Sequence, residues 1–285
     1  MFSRRLLLVS GKGGVGKSAV ATSLALAAAR RGSRVLLMGM VDALGLAIHL
    51  GVDDLGPEPR QTSPGVHASV LDRANALDEY LRLQVHLPRA MPTKQVTRAL
   101  NVLVETAPGV REIVSMGKPI FEAQRRAWDM VVVDAPPLGQ LISYLRAPAT
   151  IERLVPTGAV QRQAAAMRRF LGNPERSGLV LVTLPEELPI TETVSALTEL
   201  AKEPLIDLAK VVANRVLGGL DVPAHVVAGL PDGPLRHAAE LHQTLTTQQR
   251  FWLEAIGEAT LLPQLFGLMT PGEVAARLTD LWDDA

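Results

Sequence analysis

The sequence predicts a three-layer α/β fold: a mostly parallel, doubly wound sheet with helices on both faces and a small inserted helical subdomain. Three observations lead there. Short apolar runs recur at Leu6 to Val9, Val35 to Met38, Met130 to Val133, Leu179 to Val182 and Val211 to Ala213. Polar-patterned or Ala-rich stretches of helical length separate many of them, which implies parallel strands joined by crossover helices. Each run ends in a loop of small or polar residues, SGKGG, GMVDA, DAPPLG, TLPEE and NRVLGG. In open α/β sheets such carboxyl-terminal loops are where ligands sit.

Taken in order, LLLV is a buried first strand and AVATSLALAAARRG the helix that follows it. VLLM, MVVV, LVLV and VVA continue the sheet. Two stretches break the alternation. Residues of about 52–128 carry helical spacing (Leu71, Leu77, Leu81, Val85) interrupted by Pro88, Pro92 and Pro108, and about 217–258 are again largely helical. Both are assigned to the inserted subdomain of a single domain spanning 1–285. The last helix is marked by Thr270 as N-cap, Pro271 at the first helical position and Glu273 closing a capping box. Val274, Leu278, Leu281 and Trp282 then fall on one face.

The 285 residues carry 29 basic and 29 acidic side chains. With no net charge there is no global field toward nucleic acid or anionic lipid. The absence of cysteine excludes disulfides, thiolate metal sites and redox thiols. No apolar run reaches the length of a membrane span, and the start MFSRRLLLVSGKGG lacks a signal-peptide cleavage pattern. The expected compartment is the cytoplasm.

The sharpest feature is Ser10-Gly11-Lys12-Gly13-Gly14-Val15-Gly16-Lys17-Ser18, set between a strand and a helix. This is the phosphate-loop pattern in its required context. Glycines let main-chain N–H groups turn around phosphate oxygens, and the following helix presents its positive end. Gly13, Gly14, Val15, Gly16 and Lys17 are therefore the phosphate-binding candidates, and Ser18 is the Mg²⁺ ligand. Asp134, ending a buried strand, is the carboxylate that would hold Mg²⁺ through water.

Lys12 near the start of the loop resembles the signature lysine of the deviant phosphate loop. From this point the chain resembles the arsenite-pump ATPase and the guided-entry ATPase for tail-anchored membrane proteins, a family related to the MinD and ParA proteins. Besides GKGGVGKS, four ordered segments carry the resemblance: APGVREI, VVVDAPPLGQLISYLRAP, LVTLPEELPITET and ANRV. The resemblance implies ATP/ADP and Mg²⁺ as cofactors, a dimer in which Lys12 reaches the partner's nucleotide, and Asn214 against the adenine. It also implies an unidentified protein client.

The first switch departs from the family. Members read roughly VLLVSTDPAHS where this chain has Val35 to Leu44, so Val41 occupies the place of the water-activating Asp. Asp42, one position on, is the substitute catalytic candidate. In the second switch Leu138 and Gln140 replace the usual Thr and His. Binding rests on intact residues and is expected to survive; hydrolysis is expected to be slow. The reading is thus an ATP-binding, slowly hydrolysing dimeric switch. Two alternatives stand beside it: a nucleotide-binding pseudoATPase subunit paired with a paralogous ATPase, so that the dimer is homo- or heteromeric, or a MinD- or ParA-like positioning protein. The acidic tail (Glu273, Asp280, Asp283, Asp284) argues against lipid binding.

Overall fold

The computed structural model describes residues 1–72, 109–220 and 222–282. Eight strands form one sheet: β1 (Leu6–Gly11), β2 (Val35–Gly39), β3 (Arg60–Ser63), β4 (Val66–Val70), β5 (Met130–Asp134), β6 (Ser177–Thr183), β7 (Leu208–Val216) and β8 (Thr260–Pro263). Their order is β3-β4-β2-β5-β1-β6-β7-β8, and every pairing is parallel except β3 with β4. The central strand β1 alternates between two cores. Leu6 and Leu8 pack with Val131, Val133 and Leu179 on one face, and Leu7 and Val9 with Leu24, Leu37 and Val182 on the other. A strand buried on both faces has no polar side to show, so LLLV reads as a continuous apolar run.

The described helices are α1 (Lys17–Arg30), α2 (Ala43–Leu50), α3 (Val110–Gln124), α4 (Leu138–Leu154), α5 (Ala159–Leu171), α6 (Glu187–Lys202), α7 (Ala224–Ala228), α8 (Pro234–Ile256) and α9 (Pro271–Asp280). One layer consists of α1, α2 and α9 packed together; α3, α4 and α5 cover the opposite face. Toward the β7 edge, α6 and α8 meet, and Ile190 and Ile256 close over Val211 and Ala213. The three-layer, mostly parallel architecture is the one the sequence predicts.

Residues 60–70, expected inside the helical insertion of 52–128, instead extend the sheet as β3 and β4. The stretch Arg60 to Val70 folds back at Pro64-Gly65, with Gly65 at φ +77°. Val66, Ala68 and Val70 then face one side in the two-residue period of a strand. Residues 110–124, assigned to the same insertion, form α3 against β5. The pattern at Leu77, Leu81 and Val85 and the prolines at 88, 92 and 108 lie outside the described residues. At 217–258 the chain is helical, as α7 and α8.

In α9 the capping box is formed: the Thr270 hydroxyl accepts from the Glu273 N–H, and the Glu273 carboxylate accepts from the Thr270 N–H at 2.7 Å. Trp282 is fully buried, and its indole N–H donates to the Ser23 hydroxyl at 2.9 Å. Leu281, expected on the same buried face, is exposed, because the chain leaves the helix at that residue.

Candidate functional site: a phosphate loop at the carboxyl edge of the sheet

All parallel strands end on the same edge, so the loops after β1, β2, β5, β7 and β8 meet there. They enclose a cleft of about 580 Å³. The loop after β1 runs into α1, whose first turn carries no acidic residue to occupy its positive end. Two glycines are required sterically. A methyl group on Gly11 would overlap the Val182 carbonyl, and one on Gly16, which sits at φ +91°, would overlap the Asn214 amide. Val15 turns its side chain into the core and offers the cleft side only main chain.

Register places Asp134 opposite Val9, so a carboxylate ends the strand beside the loop. The Ser18 hydroxyl donates to Asp134 Oδ2 at 2.6 Å, and the Lys17 ammonium donates to the Lys12 carbonyl at 3.0 Å. Asp134 is buried. Burial pushes its pKa above the usual carboxylate range, opposed by the Ser18 hydrogen bond and by the charges of Lys17 and His49; Asp42 adds to the upward push. Burial likewise lowers the Lys17 pKa, opposed by Asp134. Hydroxyl and carboxylate oxygens side by side, next to an ammonium, form a hard oxygen donor set that suits Mg²⁺ with a polyphosphate.

Of the sequence candidates, Gly14, Gly16, Lys17, Ser18, Asp42, Asp134 and Asn214 line this cleft. Gly13 is exposed at the loop's tip, outside the cleft lining. Lys12 points away from the cleft within its own chain: its ammonium is 2.6 Å from Glu192 Oε1 on α6. The Asn214 amide group is built into the loop, its Nδ2 donating to the Val15 carbonyl at 2.9 Å. Asp42 caps α2, with its Oδ1 accepting the Gly45 N–H at 2.8 Å. Val41 beside it is half exposed. Leu138, at the start of α4, is buried against Ile142, Leu181 and Ala196.

Sequence reasoning missed the far wall. Pro263, Gln264 and Leu265 after β8, Met269, and Val274 and Leu278 of α9 close the cleft, together with Arg215 and His49. A short apolar run ending in proline, TLLP, is the one signal that marked this wall. His49 carried none.

A family model for anion-transporting ATPases matches residues 4–163. The chain belongs to this family. The mycobacterial protein named ATPase BagA, from Mycobacterium tuberculosis, is 33% identical over 234 residues, covering 78% of this chain and 66% of that protein. A putative arsenical pump-driving ATPase of Halobacterium salinarum is 29% identical over 231 residues, 75% of this chain and 36% of its own length. ATPase get3 of Schizosaccharomyces pombe is 24% identical over 250 residues, 75% of this chain and 74% of its own. The matched stretch thus spans just under two thirds of the mycobacterial relative. The matched part of this anion-transporting ATPase family member includes the glycine loop after β1, α2, β5 and α4.

Proposed function

We propose that this chain binds ATP and ADP with Mg²⁺, hydrolyses ATP slowly, and acts as a dimeric switch whose nucleotide state governs binding of a protein client in the cytoplasm. The observation that carries the reading is the Ser18–Asp134 contact of 2.6 Å beside Lys17, in a glycine loop opening α1. Main-chain N–H groups of Gly13 to Lys17 and the helix end hold the phosphates. Lys17 supplies a positive charge to the terminal phosphate oxygens, and Ser18 and Asp134 hold the metal. When bound, Mg²⁺ neutralises charge on the phosphates.

Slow turnover follows from the first switch. The Asp42 carboxylate is engaged as a helix cap, and Val41 brings no proton acceptor. A missing positioned base typically lowers a rate by roughly 10²–10⁴. The buried Leu138 ties the start of α4 to the core, which supports weak coupling of the second switch to the nucleotide. Lys12 lies near the chain surface on a partly exposed ion pair, so it is placed to exchange Glu192 for a partner's phosphates. The client reading is supported by α8, which leaves Leu235, Leu241, Leu245 and Phe251 exposed; among the described residues no helix is long and apolar enough to cross a membrane.

Calorimetry with Mg·ATP and light scattering with and without it test binding and dimerisation. A chain that takes up neither ATP nor ADP, or whose uptake survives Lys17→Ala, overturns the reading. Exposed Val41 also favours a second reading, a pseudoATPase subunit serving a paralogous partner. Phosphate release separates the two: slow turnover that rises at least about tenfold in Val41→Asp supports the switch, and none in either protein supports the subunit.

A further inference from the structure

Among the described residues, the ionisable side chains that line the cleft are Lys17, Asp42, His49, Asp134 and Arg215. Hydrolysis of a phosphoanhydride calls for a group that takes a proton from the attacking water. The charged ammonium of Lys17 and the guanidinium of Arg215 donate and do not accept. Asp134 accepts from the Ser18 hydroxyl within the donor set assigned to the metal, and Asp42 caps α2. His49 is left.

His49 stands in the last turn of α2 and is half-buried. Its Nδ1 lies 2.7 Å from the Gly45 carbonyl. A carbonyl oxygen can only accept, so Nδ1 is the donor, and in the neutral ring Nε2 is the nitrogen that keeps a lone pair. Among the described residues Nε2 has no hydrogen bond or ion pair. The ring is near enough to Asp134 for its charge to be felt at that buried carboxylate, although no ion pair joins them. The turn that anchors the ring is itself held. Asp42 Oδ1 accepts the Gly45 N–H at 2.8 Å, and Gly45 presents the carbonyl that orients His49. A methyl group on Gly45 would overlap the Asp42 carboxylate, so the turn has room for this cap only with glycine there. An imidazole with one nitrogen fixed by a third group and the other free toward a cleft is arranged as a general base.

We propose that His49 is the general base of this chain's ATP hydrolysis, its Nε2 taking the proton of the attacking water where Val41 offers no carboxylate. The inference rests on the nucleotide reading above and supplies the proton acceptor for its slow turnover. As the water oxygen bonds to the γ-phosphorus, the bond from that phosphorus to the β–γ bridging oxygen breaks, and its electron pair leaves with ADP. The water proton passes to Nε2, and the imidazolium gives it to solvent once phosphate has left. His49 belongs to the last turn of α2, whereas Val41 precedes the first. A base offset along the helix from the switch position aligns water less well, in keeping with turnover that is slow and not absent.

Phosphate release and calorimetry on the full chain test this. His49→Asn keeps a donor for the Gly45 carbonyl and removes Nε2. It should slow phosphate release at least about tenfold and leave Mg·ADP affinity unchanged, which also shows that the site is folded. Affinity for Mg·ADP with aluminium fluoride, a mimic of the transferring phosphoryl group, should fall by about the same factor as the rate. Imidazole added to His49→Ala should restore part of the lost rate. In a Val41→Asp background, where a carboxylate stands at the switch, His49→Asn should cost no more than about twofold. Phosphate release by His49→Asn as fast as by the unaltered chain overturns the proposal. Equal losses in both backgrounds without imidazole rescue make His49 a packing residue, and equal weakening of Mg·ADP with and without fluoride makes it a nucleotide contact; either overturns it. An unaltered chain that binds Mg·ATP but releases no phosphate overturns it while nucleotide binding stands. A chain that binds neither ATP nor ADP removes the nucleotide reading and this proposal with it.

Discussion

Asp134→Asn separates a metal-holding carboxylate from an ordinary strand-end residue. In the free protein the wild-type carboxylate is 5% exposed, and its pKa is raised mainly by burial. A folded-state pKa above the unfolded one means that the native state holds the proton more tightly. Stability is then full at low pH and declines as pH rises from about 4 through the raised value, staying lower above it. Asparagine cannot titrate. Its carbonyl still accepts the Ser18 hydrogen bond, so the free variant should lose this decline and be no less stable at neutral pH. Ligand linkage should change in the opposite sense. At a Mg·ATP concentration of about 100 Kd the wild type gains about 2.7 kcal/mol, or about 5–10 °C for a domain of this size. Removing a carboxylate that orients a metal through water costs about 10- to 100-fold in affinity. At the upper end the same concentration equals Kd, and the gain falls to about 0.4 kcal/mol, about 1 °C. Thermal scans with Mg·ATP, with ATP plus chelator, and with neither read this directly. A free variant that melts more than about 5 °C below wild type, with its Mg·ATP shift intact, would show that Asp134 serves the fold alone.

Asp42→Ser keeps a side-chain oxygen for the Gly45 N–H, so stability should hold and phosphate release should stay within about twofold, whereas Asp42→Ala loses the cap and about 1 kcal/mol; abolished turnover in the serine variant would instead make Asp42 the base. Glu192→Gln removes the partner of Lys12, and because exposed pairs contribute only about 0–1 kcal/mol the thermal midpoint should not move. Light scattering should then detect Mg·ATP-dependent dimers at lower protein concentration; an unchanged dimerisation midpoint would refute a role for this pair in releasing Lys12. Gly11→Ala places a methyl group on the Val182 carbonyl and should cost on the order of 3 kcal/mol, seen as a fall in urea midpoint; a midpoint equal to wild type would contradict the close approach of β1 and β6 at this loop.

What could be read from sequence, and what could not, divides along physical lines. LLLV, MVVV and LVLV are buried on both faces, and their apolarity has no other explanation, so five strands and the parallel sheet were visible. The phosphate loop was visible too, because its function is carried by main chain at fixed spacing, Gly11 to Ser18. β3, β4 and β8 are edge or near-edge strands of four or five residues, RQTS, VHASV and TLLP, too short, and in RQTS too polar, to register against helical background. The same limit hid the far wall of the cleft. Arg215 enters it because a bulge sets β7 one residue out of step with β8, which is a property of the pairing and not of either strand alone. Asp42 shows the converse: its place in the sequence suggested a catalytic base, whereas its role as the N-cap of α2, accepting the Gly45 N–H, became legible only with the helix that begins at the next residue. Local spacing therefore marked the glycine loop and the strand-end carboxylate that the fold brings together at Ser18 and Asp134. The far wall of the cleft is assembled from residues about 50 positions apart, Arg215 and Pro263 to Leu265, and only the register between two strands brings them together.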